Sequence, residues 1–85
     1  METWAYVFVS TSHPKRTLPK IRVIEGVIHA DALFGSPDII AIVKGRDIAA
    51  MDAAIDRIAE LPDVNSTDSK VARWLDGVGP PEPAV

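Results

Sequence analysis

Residues 35–43 read GSPDIIAIV, a turn signal followed directly by an apolar run. The glycine permits a positive φ, the proline fixes its own φ, and Asp38 can accept hydrogen bonds from nearby backbone N–H groups. Residues 39–43 include no polar side chain, which is typical of a strand at the centre of a sheet, covered on both faces. We therefore expect the chain to reverse at residues 35–38 and to continue into a central strand.

The same strand–helix–strand unit is predicted on both sides of this turn. The first unit has a strand at residues 5–9, a helix at about 18–25 capped by Thr17, and a strand at 28–34 with Ala32 and Phe34 on its inward side. The second has a strand at 39–43, a helix at about 48–61 capped by Asp47, with Ile48 in its apolar stripe, and an edge strand at about 64–74. Two such units predict an α+β fold. It is a ferredoxin-like βαββαβ sandwich, with a four-stranded antiparallel sheet and two helices on one face.

The first strand is apolar on both of its faces. Trp4, Tyr6 and Phe8 point one way, whereas Ala5, Val7 and Val9 point the other way. Because two short helices cover only one face of the sheet, the other face keeps an apolar patch of a kind that marks an interface. Two sheets packed face to face would bury on the order of 1,600 Å². The pattern therefore predicts a homodimer formed through the sheets.

The length and composition of the chain are those of one small domain. The 85 residues include no cysteine and carry a formal net charge of −3. We expect a domain over residues 1–77 and a flexible proline-rich tail over 78–85. The acidic balance argues against direct nucleic-acid binding, and no apolar run approaches the ~20 residues of a membrane helix. A cytoplasmic protein without a membrane partner is the expectation.

Few side chains are candidates for catalysis, metal binding or ligand binding. No nucleophile stands beside a base, and His29 and Asp31 are too few ligands for a metal, so we predict no catalytic residue, no metal site and no cofactor. The best candidate is the turn at residues 35–38. Asp38 could accept from the ammonium of an amino acid while turn N–H groups donate to its carboxylate. Alternatively, Asp38 stabilises the hairpin through its side chain and binds nothing.

Several short motifs, in this order and spacing, resemble one family. They are the strand at residues 5–9, the segment 24–27, the glycine-x-x-aspartate turn of Gly35 and Asp38, and the segments 45–48 and 58–64. Over about residues 4–75 the chain resembles the ligand-sensing (RAM) domain of the Lrp/AsnC transcription regulators. Full regulators carry an N-terminal helix-turn-helix, whereas this chain starts at the first strand. It therefore resembles a stand-alone form of the module, for which no DNA binding is expected.

The resemblance implies a mode of assembly and a site. In the family, dimers with facing sheets assemble further into rings of dimers, and amino-acid effectors bind at contacts between dimers near the turn. The residues of this chain that match the effector pocket are Ala32, Gly35, Asp38, Ile48, Ser69, Lys70, Val71 and Ala72.

Three functions stay open at this point. The first is a regulatory module that binds an amino acid, and the second is an interaction protein that co-assembles with full-length Lrp/AsnC regulators. The third is a small enzyme of the dimeric αβ-barrel type, such as a monooxygenase or isomerase. Such enzymes usually place a histidine, tryptophan or asparagine in a cavity between helices and sheet, and His29 is the only strand histidine here.

Overall fold

The computed structural model describes residues 2–73 and residue 75. Along this part of the chain the elements are β1 (Thr3–Thr11), α1 (Pro14–Arg22), β2 (Val27–Ala32), β3 (Ile39–Gly45), α2 (Ile48–Ala59) and β4 (Val64–Val71). The strands form one antiparallel sheet in the order β2-β3-β1-β4. The predicted ferredoxin-like sandwich is confirmed. The predicted tail at 78–85 lies outside the described residues.

The apolar run after the turn does lie at the centre of the sheet. Strand β3 pairs with β1 on one side, where Val9 lies opposite Ile39, and with β2 on the other. Alternate residues of the sheet meet both helices in one buried cluster. Its members are Ala5, Val7, Val9, Ala30, Ile39, Ala41 and Val43 from the strands and Ile21, Met51, Ala54 and Ile58 from the helices. The helices therefore cover the Ala5 face of β1 and leave the Tyr6 face open.

Helix α1 begins and ends earlier than predicted. It starts at Pro14, because a proline at the first helical position sacrifices no hydrogen bond and has the right φ. Thr17 is not the cap. It is fully buried in the second turn, where its hydroxyl donates to the carbonyl of His13 at 2.7 Å and lies 3.1 Å from the hydroxyl of Thr11. The prediction failed because a threonine hydroxyl can either cap a helix or bond back to its preceding turn.

An ion pair fixes α1 to the turn between α2 and β4. Two guanidinium nitrogens of Arg16 donate to the two carboxylate oxygens of Asp63, each at 2.7 Å. The hydrogen bond from Arg16 holds the pKa of Asp63 below its usual value and raises the pKa of Arg16. This bidentate geometry is the strongest form of such a pair.

Two strands and one helix stop short of their predicted ends. Strand β2 ends at Ala32, and Phe34, predicted to point inward, is fully exposed in the loop that follows. Ala32 is exposed as well. Strand β4 ends at Val71 rather than at residue 74, which is not among the described residues, and α2 ends at Ala59.

Helix α2 starts where the sequence predicts. The Asp47 carboxylate accepts from the backbone N–H of Ala50 at 2.8 Å, so the predicted cap is confirmed. The helix begins so close to β3 that a Cβ on Gly45 would lie 2.5 Å from the backbone nitrogen of Met51. Ile48 does not join the buried stripe, because its place in the first turn leaves it 63% exposed. Neither described helix is long and apolar enough to cross a membrane.

Candidate functional site

The loop between β2 and β3 is built around Asp38. Its N–H donates to the carbonyl of Val9 at 3.0 Å, and its carbonyl accepts from the N–H of Leu33 at 2.7 Å. One carboxylate oxygen, Oδ2, accepts from the N–H of Thr11 at 2.9 Å. Asp38 therefore ties its loop to the end of β1. This is a structural role for the side chain, although it bonds another strand rather than its own turn.

Some polar groups of this loop make no hydrogen bond to the described residues. Among the described residues, Oδ1 of Asp38 and the N–H groups of Gly35 and Ser36 have no hydrogen-bond partner. Gly35 adopts a φ of +101°, a conformation that favours glycine, and nothing lies within 4 Å of the place where its Cβ would be. The loop thus contains one acceptor and two donors without a partner among the described residues, and the preceding residue, Phe34, has a fully exposed side chain.

The predicted pocket residues fall into separate groups within one chain. Ala32, Gly35 and Asp38 lie at the end of the sheet where β2 and β1 finish and β3 begins. Ile48 lies beyond the other end of β3, and Val71 pairs with Ala5 near the start of β1. The N–H of Ala72 donates to the carbonyl of Trp4 at 2.9 Å, so Ala72 belongs to the second group.

The length of β3 keeps these groups apart. From Ile39 to Gly45 the strand advances roughly 20 Å at about 3.3 Å per residue. The remaining two residues lie along β4, where Ser69 pairs with Val7 on the helix side and Lys70 pairs with Tyr6 on the open side. A single copy therefore does not bring Asp38 and Ile48 into one pocket.

Three clefts formed by described residues lie elsewhere. A cleft of about 460 Å³ runs along α2 and is lined by Glu25, Gly26, Lys44, Gly45, Arg46, Ala50, Ala53, Ala54 and Arg57. Another, of about 380 Å³, is lined by Arg22 and residues 27–30, and one of about 390 Å³ is lined by residues 12–16. None of the three includes a predicted pocket residue.

The open face of the sheet has an apolar centre and a charged border. Tyr6 and Phe8 of β1 and Ile40 and Ile42 of β3 are half-buried at the centre. Trp4, at one end of this row, is 4% exposed. On the β2 border, Nε2 of His29 lies 2.7 Å from Oδ2 of Asp31, and on the β4 border, Nζ of Lys70 lies 3.2 Å from Oδ2 of Asp68. This apolar centre within a polar rim is the usual anatomy of a protein interface.

Trp4 carries its own polar contacts. Its indole Nε1–H donates to Glu2 at 3.1 Å, and the ammonium of Lys44 lies 5.6 Å from its ring centroid and 3.3 Å from Glu2. The hydrogen bond from Trp4, followed by the contact with Lys44, lowers the pKa of the Glu2 carboxyl. Trp4 therefore has an apolar body on the open face and a satisfied N–H at the rim.

The position of His29 bears on the alternative of a small enzyme. His29 lies on the open face, opposite Ile42, and not in a cavity between helices and sheet. Over residues 2–73 and 75, no three His, Cys, Asp or Glu side chains come close enough together to hold a metal ion. The sequence correctly placed His29 and Asp31 on one strand face. It gave no signal for the neighbouring Arg22, whose guanidinium donates twice to the carbonyl of Ala30, at 3.0 and 2.8 Å.

Comparison with known proteins identifies the family of this chain. Residues 5–73 match the family described as the Lrp/AsnC ligand binding domain. Because the match covers most of the chain, the protein belongs to the family of Lrp/AsnC ligand-binding domains. No curated protein sequence matches the chain.

Solved structures share the fold at low sequence identity. The protein TTHA0845 from Thermus thermophilus is 20% identical, with a TM-score of 0.78 over 85% of this chain and 94% of that chain. AsnC of E. coli is 17% identical, with a TM-score of 0.76 over 98% of this chain and 56% of that one. The transcriptional regulator NMB0573 of Neisseria meningitidis, in its L-Met complex, is 19% identical, with a TM-score of 0.72 over 95% and 56%. The chain thus spans little more than half of either regulator.

Proposed function

We propose that this protein is a non-enzymatic regulatory module that binds an amino acid between copies of itself. The observation that carries the proposal is the separation of the candidate pocket residues within one chain. Asp38 and Ile48 lie beyond opposite ends of β3, yet the resemblance to the family implies that both belong to one effector pocket. A contact between copies, in which the loop of one chain meets the α2 start and the β4 end of the next, would join them.

The open sheet face supports a homodimer as the basic unit. The helices bury the Ala5 face of β1, so the half-buried Tyr6 and Phe8 face outward with Ile40 and Ile42. A second copy packed on this face would cover the apolar centre, burying on the order of 1,600 Å² in total. The pocket between dimers would then be a second, different contact, and repeating it around an axis would give a ring of dimers.

The chemistry of the loop suits the two charged ends of an amino acid. Oδ1 of Asp38, which has no partner among residues 2–73 and 75, could accept from an ammonium, and the N–H groups of Gly35 and Ser36, likewise unpaired within that part of the chain, could donate to a carboxylate. Charge-assisted hydrogen bonds of this kind contribute about 1.5–3 kcal/mol each. The L-Met complex of the related Neisseria regulator supports the ligand class. Full-length Lrp/AsnC regulators could co-assemble with this chain through the same contact between copies.

Isothermal titration calorimetry with each standard amino acid tests the proposal. We expect at least one to bind the wild-type chain, and Asp38→Asn to weaken that binding by roughly tenfold or more, because the ammonium loses a charged acceptor. Asp52→Asn removes the same charge from an exposed position on α2 and should leave the binding constant unchanged. Absence of heat with every amino acid would remove the sensing role and leave only assembly.

A further inference from the structure

One buried residue, Thr11, joins the loop of Asp38 to two other parts of the chain. It is the last residue of β1 and is 5% exposed. Its N–H donates to Oδ2 of Asp38 at 2.9 Å. Its hydroxyl donates to the carbonyl of Asp63 at 2.7 Å and accepts from the N–H of His13 at 3.1 Å. The β2–β3 loop, the α2–β4 turn and the segment that leads into α1 therefore meet at this threonine.

The regular pairing of the sheet does not hold Thr11 in place. The paired residues of β1 and β3 end at Val9, which lies opposite Ile39. The pairing of β1 with β4 shifts its register between Ser10 and Thr11, so that Thr11 lies opposite Val64. Because such a shift disrupts the ladder locally, the bonds of its side chain are what fix the direction of the Thr11 N–H.

A second buried hydroxyl supports the first. Thr17 is fully buried in α1, and its Oγ1 lies 3.1 Å from Oγ1 of Thr11. The carbonyl of His13 accepts from both the hydroxyl and the N–H of Thr17, at 2.7 and 3.0 Å. Among the described residues, no buried side-chain nitrogen or oxygen is without a hydrogen-bond partner. A buried network that is fully satisfied in this way is rigid and specifies one arrangement.

We propose that the hydroxyl of Thr11, supported by Thr17, positions the carboxylate of Asp38 for its ligand. It fixes the Thr11 N–H, which holds Oδ2 and so leaves Oδ1 as the acceptor for an ammonium. The backbone of Asp38 has its own bonds to Val9 and Leu33, whereas the bond to Thr11 is the one described bond of its side chain. This inference rests on the proposed function and adds a positioning residue that acts through Asp38.

The physical reason is preorganisation of the ligand's acceptor. A carboxylate that is already held in one rotamer loses little freedom when a ligand binds, whereas a mobile one has to be ordered at that moment. Support from a second layer of hydrogen bonds is the usual way in which a protein holds a binding group to its productive geometry. Loss of the Thr11 hydroxyl should therefore weaken binding without removing any group that touches the ligand.

Calorimetry with the amino acid that the wild-type chain binds gives the first test. Thr11→Val keeps the branched shape and the backbone N–H but removes the hydroxyl, and we expect the dissociation constant to rise by roughly fivefold. Thr11→Ser restores the hydroxyl and should bind within about twofold of wild type. Ile21→Val is the control for lost stability, since it removes a methylene from the core side of α1 but no hydrogen bond, and its binding should be unchanged.

A double-mutant cycle shows whether Thr11 acts through Asp38. If it does, the double variant Thr11→Val/Asp38→Asn should bind within about twofold of Asp38→Asn alone. A further loss as large as that caused by Thr11→Val in the wild-type chain would mean that the two residues act independently, and it would overturn the proposal. Circular dichroism identifies temperatures at which every variant is folded. If Thr11→Val does not fold, Thr17→Val takes its place in the cycle.

The amide signal of residue 11 in a ¹H–¹⁵N spectrum tests the same link without a ligand. In the wild-type chain this N–H donates to a carboxylate, so Asp38→Asn should move its proton resonance upfield. When the Thr11 hydroxyl has been removed, the response to Asp38→Asn should be smaller. Equal responses in the two backgrounds, or none in the wild-type chain, would overturn the positioning role.

The two measurements separate this inference from the proposed function. If no amino acid binds the wild-type chain, the proposed function fails, and the amide signal still decides whether the Thr11 hydroxyl positions Asp38. If an amino acid binds and Thr11→Val binds it as tightly as wild type, the positioning role fails while the proposed function stands. Weaker binding by Thr11→Val, its rescue by Thr11→Ser and the smaller amide response together support the inference.

Discussion

Replacing Asp38 measures how much of its role is structural. Its Oδ2 accepts a 2.9 Å hydrogen bond from the N–H of Thr11, at the partly buried end of β1. A hydrogen bond to a charged group contributes about 1.5–3 kcal/mol, so Asp38→Ala should lower the free energy of unfolding by that amount. Asp38→Asn keeps an oxygen acceptor without the charge and should cost about 1 kcal/mol.

Urea unfolding of wild type and variants provides the measurement. Protein concentration must be held constant, because association contributes to apparent stability. Asp52→Ala is the control, since Asp52 is exposed and exposed substitutions usually change stability by less than about 0.5 kcal/mol. A result for Asp38→Ala within that same range would refute the view that the side chain of Asp38 holds the loop to β1, since the backbone bond from Asp38 to Val9 is kept in the variant. It would leave the carboxylate free for a ligand alone.

Three further tests, which use five variants, concern the packing of the core and the ion pair between Arg16 and Asp63. Gly45→Ala should cost about 3 kcal/mol or more, because the new Cβ would meet backbone atoms at the start of α2, whereas Gly35→Ala, with open space and only a positive φ, should cost about 1 kcal/mol. Ile58→Ala should cost about 2–5 kcal/mol by leaving a cavity in the core, and the exposed Ile48→Ala should cost little; denaturant unfolding measures both. The hydrogen bond from Arg16 lowers the pKa of Asp63. The ion pair therefore contributes its full stabilisation above pH 3.8, the ordinary pKa of an aspartate, and this stabilisation is lost as the pH falls below that value. Asp63→Asn should therefore flatten the loss of stability in that acid range, measured by thermal unfolding at several pH values.

Each of these three has an outcome that would contradict it. Equal costs for the two glycine variants would mean that close packing at the start of α2 is not what requires a glycine in β3. A loss below about 1 kcal/mol for Ile58→Ala would mean that this site collapses without a cavity, contrary to its full burial. An unchanged acid profile for the Asp63 variant would show that the ion pair with Arg16 does not form in solution.

Features set by local sequence could be predicted, and they include the framework of the fold. The apolar run at residues 39–43 indicated a central strand because an unbroken apolar run is typical of a strand with a neighbour on each side, and β3 does lie between β1 and β2. The cap at Asp47 and the turn at Gly35 depend on their own neighbours, and both were found where predicted. The family resemblance rested on the same local motifs.

Features decided by distant partners could not be predicted. The hydroxyl of Thr17 could have capped a helix, but a buried contact with Thr11 places it inside α1. The side chain of Asp38 bonds to a residue 27 positions away, on a strand whose register the sequence does not reveal. The wide spacing of Asp38 and Ile48 likewise follows from that register, so a single-chain pocket could not be accepted or rejected beforehand.

Mixing two variants tests the central claim, a ligand site shared between copies, most directly. Asp38→Asn and Ile48→Asp each spoil one half of the proposed pocket, and neither should bind the amino acid that the wild-type chain binds. Co-refolded together, they should regain binding at roughly a quarter of the contacts, where an intact Asp38 from one chain meets an intact Ile48 from the next. A mixture that binds no better than either variant alone, although sedimentation shows that the chains have assembled together, would contradict a site built from two copies.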